Sequence, residues 1–272
     1  MTGLKTTLAA ILALFLAGAG HAEGPETIVL ASTTSLQDSG LFGHILPLFT
    51  AQTGIVVHVV AQGTGQALAT AAHGDADMVL VHDPAAEDGF MASGHGISRI
   101  EIAWNDFIVV GPAADPAHVA GQTDVVAAFK AIAAAGAPFV SRGDKSGTNA
   151  AELRLWKAAG IAPSGPWYRD IGGGMGATLN AATAMRAYTL SDRGTWLSYG
   201  NKAGMAIVVQ GDHRLLNFYD VILLNPEKHP QAKQEQAFAL VSWLASPAGQ
   251  AAIAEYTVAG QKLFHPAADP RP

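Results

Sequence analysis

Two doubly wound α/β lobes joined by a hinge are the architecture this sequence predicts. Short apolar β-type runs alternate with longer helix-compatible stretches, the order that builds parallel sheets with helices on their faces. Two longer extended runs, 99–110 and 219–224, stop near Gly111-Pro112 and Asn225-Pro226 and are placed to carry the chain between lobes. A composition of 49% apolar and 14% charged residues suits sheets buried on both sides.

The elements follow in order. Residues 1–22 carry one charge, Lys5, then an apolar run over 8–19 and small residues around Gly20-His21-Ala22. This is the pattern of a secretory signal peptide, and the run is short for a membrane span, which needs about 20 apolar residues. Residues 23–108 and 221–272 are expected to form lobe I. There the pattern predicts a strand over 27–31, a helix over 35–52, a strand over 55–61, a helix over 66–73 and a strand over 78–81. Residues 109–220 are expected to form lobe II, with helices over 125–135, 149–159 and 177–185 and strands over 138–141, 187–190 and 205–209. A helix over 231–244 closes the chain, and Ser246-Pro247 opens another, since proline suits a first helical turn.

Composition excludes several function classes. Removing Lys5 takes the formal charge from −6 to −7, and no basic run is present to neutralise a nucleic-acid backbone. The chain has no cysteine, which removes thiol chemistry, disulfides and a lipid-anchored N-terminal cysteine. A freely soluble periplasmic protein working as a monomer is the expectation.

Three loops share one layout, in which a strand stops at small hydroxyl or glycine residues and a helix starts at once. They are Ser32-Thr33-Thr34-Ser35, Gly63-Thr64-Gly65, and the run from Ser141 to Thr148. The first N–H groups of a helix lack an intrahelical acceptor and carry partial positive charge, so such turns suit anions. Taken singly, the first two loops read equally as an N-cap and a tight turn. The third is more specific: Arg142 brings a planar fork of donors matched to two oxygens of one anion, and Asp144 stands where it can brace that fork. A plain surface ion pair between the two is the alternative there. In doubly wound sheets such loops gather at the carboxyl ends of the strands, so loops from both lobes can face one cleft. The residues themselves point to a small tetrahedral oxyanion.

At these loops the chain resembles the tungstate-binding proteins of ABC importers, within the type II periplasmic-binding-protein superfamily. The stretches that carry the resemblance include Thr33-Thr34-Ser35, Gly63-Thr64-Gly65, Val81-His82-Asp83-Pro84, Asn105-Asp106-Phe107, Ser141 to Thr148, Gly174-Met175-Gly176-Ala177-Thr178 and Asp192-Arg193-Gly194-Thr195. The resemblance implies a Venus-flytrap fold and an intact tungstate or molybdate dianion bound without metal or cofactor. It also implies delivery to a membrane permease with a cytoplasmic ATPase. Carried over by position, the binding residues are Thr34, Ser35, Thr64, Ser141, Arg142, Ser146, Gly147 and Thr148, with Tyr188 as a further hydroxyl near the cleft. Where many members have an acidic residue in the third loop, this chain has Lys145.

Other features carry less. Asp75, Asp77, His82 and Asp83 are metal-ligand types, but a strand divides them and the family pattern uses them as structure. The glycines of 172–176 have the wrong spacing for a dinucleotide fingerprint and read as a cleft-lining turn. No nucleophile elbow or carboxylate pair stands out, so an enzyme is not expected. Phosphate remains an alternative ligand, with Asp144 then accepting the anion's proton, and an oxyanion-sensing domain remains an alternative role.

Overall fold

In the computed structural model, which describes residues 26–258 and 260–271, the first strand shows how the core is built. Along β1 (Thr27–Thr33), Ile28 and Leu30 enter one apolar cluster while Val29 and Ala31 pack in another. Successive strand side chains point to opposite faces, so both sides of the sheet need helices. The chain supplies them through α1 (Thr34–Ser39), α2 (Leu41–Thr53), β2 (Val56–Gln62), α3 (Thr64–His73), β3 (Met78–Val81), α4 (Pro84–Ala92) and the long strand β4 (Gly96–Pro112). Phe42, Ile45 and Phe49 of α2 cover one face; Ala67, Leu68 and Ala71 of α3 cover the other.

The middle of the chain repeats the plan with α5 (Val125–Ala134), β5 (Phe139–Ser141), α6 (Gly147–Ala158), β6 (Tyr168–Asp170), α7 (Met175–Met185), β7 (Thr189–Asp192), α8 (Arg193–Ser198) and β8 (Met205–Val209). The return strand β9 (Leu216–Leu224) follows, then α9 (Gln234–Ala245), α10 (Pro247–Glu255) and the short strands β10 (Thr257–Val258), β11 (Gln261–Lys262) and β12 (His265–Pro266). The start of α10 matches its expectation, with Pro247 in the first turn and the Ser246 hydroxyl accepting from the Gly249 N–H at 3.2 Å.

The first sheet runs β12-β4-β9-β3-β1-β2. Strand β1 is parallel to β2 and β3, whereas β9 is antiparallel to β3 and β4. The parallel pattern seen in sequence is therefore mixed, because the returning strand inserts beside β3. The β4–β9 ladder ends at Asn105 opposite Asn217 and Asp106 opposite Leu216. From Phe107 onward β4 pairs instead with β7 and β8. An isolated bridge from Phe139 to Tyr188 attaches the parallel pair β5–β6 to this second sheet. The buried clusters divide likewise: two draw on residues 28–103 and 219–264, and two on residues 107–215. These groupings are the first and second lobes below.

The expected single helix over 35–52 is two helices. Gly40 lies in the left-handed region at φ 83°, and the Tyr256 hydroxyl donates to the Ser39 carbonyl at 2.5 Å, so close that a Cβ at Gly40 would fall 2.5 Å from it. Only glycine turns the chain there at little cost. The signal-peptide segment lies outside the described residues.

Candidate functional site

The three donor loops follow β1, β2 and β5. Thr33, rather than Thr34 or Ser35, caps α1 by accepting from the Leu36 N–H at 3.3 Å. Thr34 and Ser35 thereby occupy the first turn, where N–H groups lack helical acceptors. Gly63 starts α3 without a side-chain cap, and Thr64 follows as its first residue. Ser146 caps α6 by accepting from Asn149, leaving Gly147 and Thr148 as the first two helical residues. The Thr64 and Thr148 Oγ1 atoms are buried with no hydrogen-bond partner among the described residues. Buried hydroxyls are nearly always paired, so two orphans at facing helix starts call for a polar ligand.

The Arg142 guanidinium joins the lobes. Its Nε and Nη2 donate to Asp144 Oδ2 at 3.1 and 2.5 Å, and its Nη1 donates to Ser35 Oγ in the first lobe at 3.3 Å. Arg142 is only 2% exposed, so the bland surface-pair reading does not hold. The loop reaches this shape by placing Gly143 and Lys145 in the left-handed region, at φ 60° and 58°. Asp144 Oδ1 meanwhile accepts from the Ser146 N–H at 3.1 Å. Burial alone would raise the Asp144 carboxyl, but the hydrogen bonds from Ser146 and Arg142 outweigh it and hold it below its ordinary value. Both Asp144 oxygens are thus engaged.

Ser141 takes a different position from the other loop hydroxyls. Its Oγ donates to Glu152 Oε2 at 2.7 Å and accepts from Asn149 Nδ2 at 3.2 Å, so the side chain faces the body of the second lobe. Glu152 also accepts from Trp156 Nε1 at 3.0 Å and the Tyr168 hydroxyl at 2.8 Å. Burial nonetheless pushes its carboxyl up to about 7, since those donors are neutral. Tyr188 is a correction: its hydroxyl donates to Asp115 at 2.7 Å and accepts from the Ala117 N–H at 3.0 Å, away from the donor loops. The glycines of 172–176 sit behind the third loop, where the Gly173 N–H donates to the Arg142 carbonyl at 3.1 Å.

Three residues that sequence reasoning did not nominate stand at the same place. His82, at the end of β3, lies against the start of α6 so closely that a Cβ at Gly147 would fall 2.7 Å from its Cε1. Its Nδ1 meets Asn217 Oδ1 at 3.0 Å, and Asn217 Nδ2 donates to Asn105 Oδ1 at 2.8 Å and to the Tyr219 hydroxyl at 2.7 Å. This buried chain runs across the β4–β9 crossing and ends on the second lobe's helix. Asp192 is fully buried; desolvation raises its carboxyl, against donation from the Thr195 N–H and hydroxyl and the positive charge of Arg142. The run Val81-His82-Asp83-Pro84 was visible, but the hydrogen-bond partner of His82, Asn217, lies 135 residues away.

The remaining metal-type residues serve structure. Asp77 accepts from the Val29 and Lys233 N–H groups at 2.7 and 2.8 Å. Asp83 pairs with Arg154 of α6 at 2.8 Å, an ion pair between the lobes. Among the described residues no group of three or more His, Asp or Glu could hold a metal ion. Cavities of about 420 and 520 Å³ flank the crossing strands, the first walled by His82, Arg154 and Asn217, the second by Trp104, Arg193 and His265. The donor loops line neither.

Comparison with known proteins gives a consistent answer. A model of the PBP superfamily domain matches residues 19–248. The tungstate-binding protein TupA of Peptoclostridium acidaminophilum is 44% identical over 274 residues, covering 96% of both chains. A putative ABC transporter anion-binding protein of Haloferax volcanii is 48% identical over 246 residues, covering 89% of this chain and 72% of that one. The solved structure of the tungstate-binding protein TupA from Desulfovibrio alaskensis superposes with a TM-score of 0.78 at 42% identity, covering 90% of this chain and all of the other.

Proposed function

Because the chain belongs to the PBP superfamily, among its TupA-like tungstate-binding proteins, we propose that it is the tungstate-binding substrate protein of an ABC transporter, closing two lobes on the intact dianion. It is a binding protein rather than an enzyme. Molybdate, with the same charge and shape, is the second ligand of this site.

The observation that carries the reading is the pair of buried, unpartnered hydroxyls, Thr64 and Thr148, on helix starts of opposite lobes, with Arg142 spanning from one lobe to the other. Tungstate is fully deprotonated near neutral pH, so it needs donors alone. Thr34, Ser35, Thr64, Arg142, Ser146, Gly147 and Thr148 supply them through hydroxyls, helix N–H groups and a guanidinium. Ser141 serves by fixing the loop from behind. Phosphate is less well suited, because its remaining proton needs an acceptor and Asp144 is already bonded to Arg142 and Ser146.

The crossing of β4 and β9 is the hinge in this reading, with residues 23–108 and 221–272 moving against 109–220. An anion touching both lobes favours the closed form, because those contacts do not exist in the open one. Export through a cleaved signal peptide, a periplasmic location, and hand-over to a permease with a cytoplasmic ATPase complete the proposal. Calorimetric titration with tungstate, molybdate, sulfate and phosphate tests it. The expected result is nanomolar tungstate binding, about −12 kcal/mol, with phosphate and sulfate far weaker; nanomolar affinity for phosphate alone overturns it.

A further inference from the structure

His82 differs from the donors at the site. The threonine hydroxyls, the helix N–H groups and Arg142 are donors whatever the pH, whereas a neutral imidazole has one donor and one acceptor nitrogen. The tautomer follows from its neighbours. Asn217 uses its amide nitrogen on Asn105 Oδ1 and the Tyr219 hydroxyl, so its Oδ1 faces His82 Nδ1 at 3.0 Å and Nδ1 carries the hydrogen. Nε2 is then a bare lone pair, and it is buried with no hydrogen-bond partner among the described residues. The ring face lies on Gly147, the first residue of α6, and the next residue along that helix is Thr148, whose buried hydroxyl also lacks a partner among the described residues.

A lone pair at a site for a dianion is repulsive unless a proton comes between them. We propose that His82 takes up one proton as the oxyanion binds and donates it from Nε2 to an anion oxygen, making the imidazole a donor present only in the complex. The step balances as one proton from solvent plus a neutral imidazole and a dianion, giving an imidazolium hydrogen-bonded to the same dianion.

The charges around the ring agree with this. Arg142 of the β5–α6 loop and Arg154 of α6 disfavour its protonation, Asp83 beside it and the Asn217 hydrogen bond from β9 favour it, and the Tyr219 ring packs 5.1 Å away. Burial is the largest influence and, with the arginines, lowers the imidazole to about 4, so it is neutral before the anion arrives. Two negative charges in contact raise it again. Affinity should then increase as pH falls, by up to about tenfold per pH unit, from the value in the complex down toward that of the empty site, and be flat above that window.

This inference rests on the oxyanion reading, and one experiment separates the two. Micromolar tungstate is titrated calorimetrically into the full protein at about pH 6, in buffers of different ionisation enthalpy, which counts protons taken up per anion. The wild type should take up close to one; His82→Asn should take up none, bind more than tenfold more weakly and lose the pH slope. Because that variant also disturbs the hydrogen bond to Asn217, the wild-type His82 ring nitrogens are followed by ¹⁵N NMR as well, which should show conversion from one protonated nitrogen to two on binding. Wild-type binding without proton uptake or without that conversion overturns the inference alone. Uptake that survives in His82→Asn overturns it in favour of another buried acid such as Asp192. Failure of the wild type to bind tungstate overturns both readings.

Discussion

The two lobes bring unlike halves to the same cleft. In the first, the donors are uncapped or lightly bonded: among the described residues Gly63 makes no side-chain cap, Thr64 Oγ1 is unpartnered, and Ser35 Oγ meets only Arg142 from across the cleft. In the second, Thr148 Oγ1 is likewise unpartnered, but the loop ahead of it is tied by Asp144 to Arg142 and Ser146, by Asn149 to Ser141 and Lys145, and by Glu152 to Ser141. A charge is costly to bury and must be fixed in place before the ligand comes. Neutral hydroxyls can wait unpaired at a helix start. The second lobe is therefore the preorganised half, and the first completes the site on closure.

Removing the charge should break this division most severely. Arg142→Ala is expected to weaken tungstate binding by at least about 2 kcal/mol, since each charge-assisted hydrogen bond contributes roughly 1.5–3 kcal/mol; titration calorimetry measures it. Unchanged affinity would remove Arg142 from the site. Glu152 probes the same lobe through stability. Its folded-state value near 7 lies above the ordinary 4.5, so the folded protein binds more protons between those values. Stability is fully present below about 4.5 and declines as pH rises to about 7, by roughly 3 kcal/mol. Denaturation midpoints across pH 5–8 should show that decline in the wild type and lose most of it in Glu152→Gln.

Much of this division was legible in the sequence, and the illegible parts share a cause. The third loop is local: arginine, aspartate, hydroxyls and glycines within eight residues before a helix identify themselves. The inward turn of Ser141 depends on Glu152 a helical span later, and the displacement of Tyr188 depends on Asp115. The break in the first helix depends on Tyr256 pressing against Gly40, and the placing of His82 depends on Asn217 and on a helix of the other lobe. Short elements such as β6, with three residues, carry too little periodicity to show. Local donor chemistry can be read along the chain; what faces it across a cleft cannot.

Two smaller effects sharpen the contrast by acting on closure alone. Gly147→Ala places a methyl 2.7 Å from the His82 ring and should weaken binding by about 1–2 kcal/mol, the scale of modest overpacking. Small-angle scattering should show the open form unchanged and the ligand-induced contraction reduced. Arg154→Ala deletes the ion pair with Asp83 across the lobes, but that arginine side chain is 47% exposed. A change of about 0–1 kcal/mol in affinity, shrinking with added salt, is expected; a larger, salt-independent loss would move Arg154 into the site.

The central claim is that one dianion is held by both lobes at once. Tungsten scatters anomalously, so a crystal of the protein with tungstate locates the ligand without ambiguity. The account predicts a single tungsten peak between the lobes, with its oxygens in hydrogen-bond reach of Thr64 Oγ1, Thr148 Oγ1 and the Arg142 guanidinium. A peak contacted by one lobe only, or lying in either cavity beside the crossing strands, would contradict it.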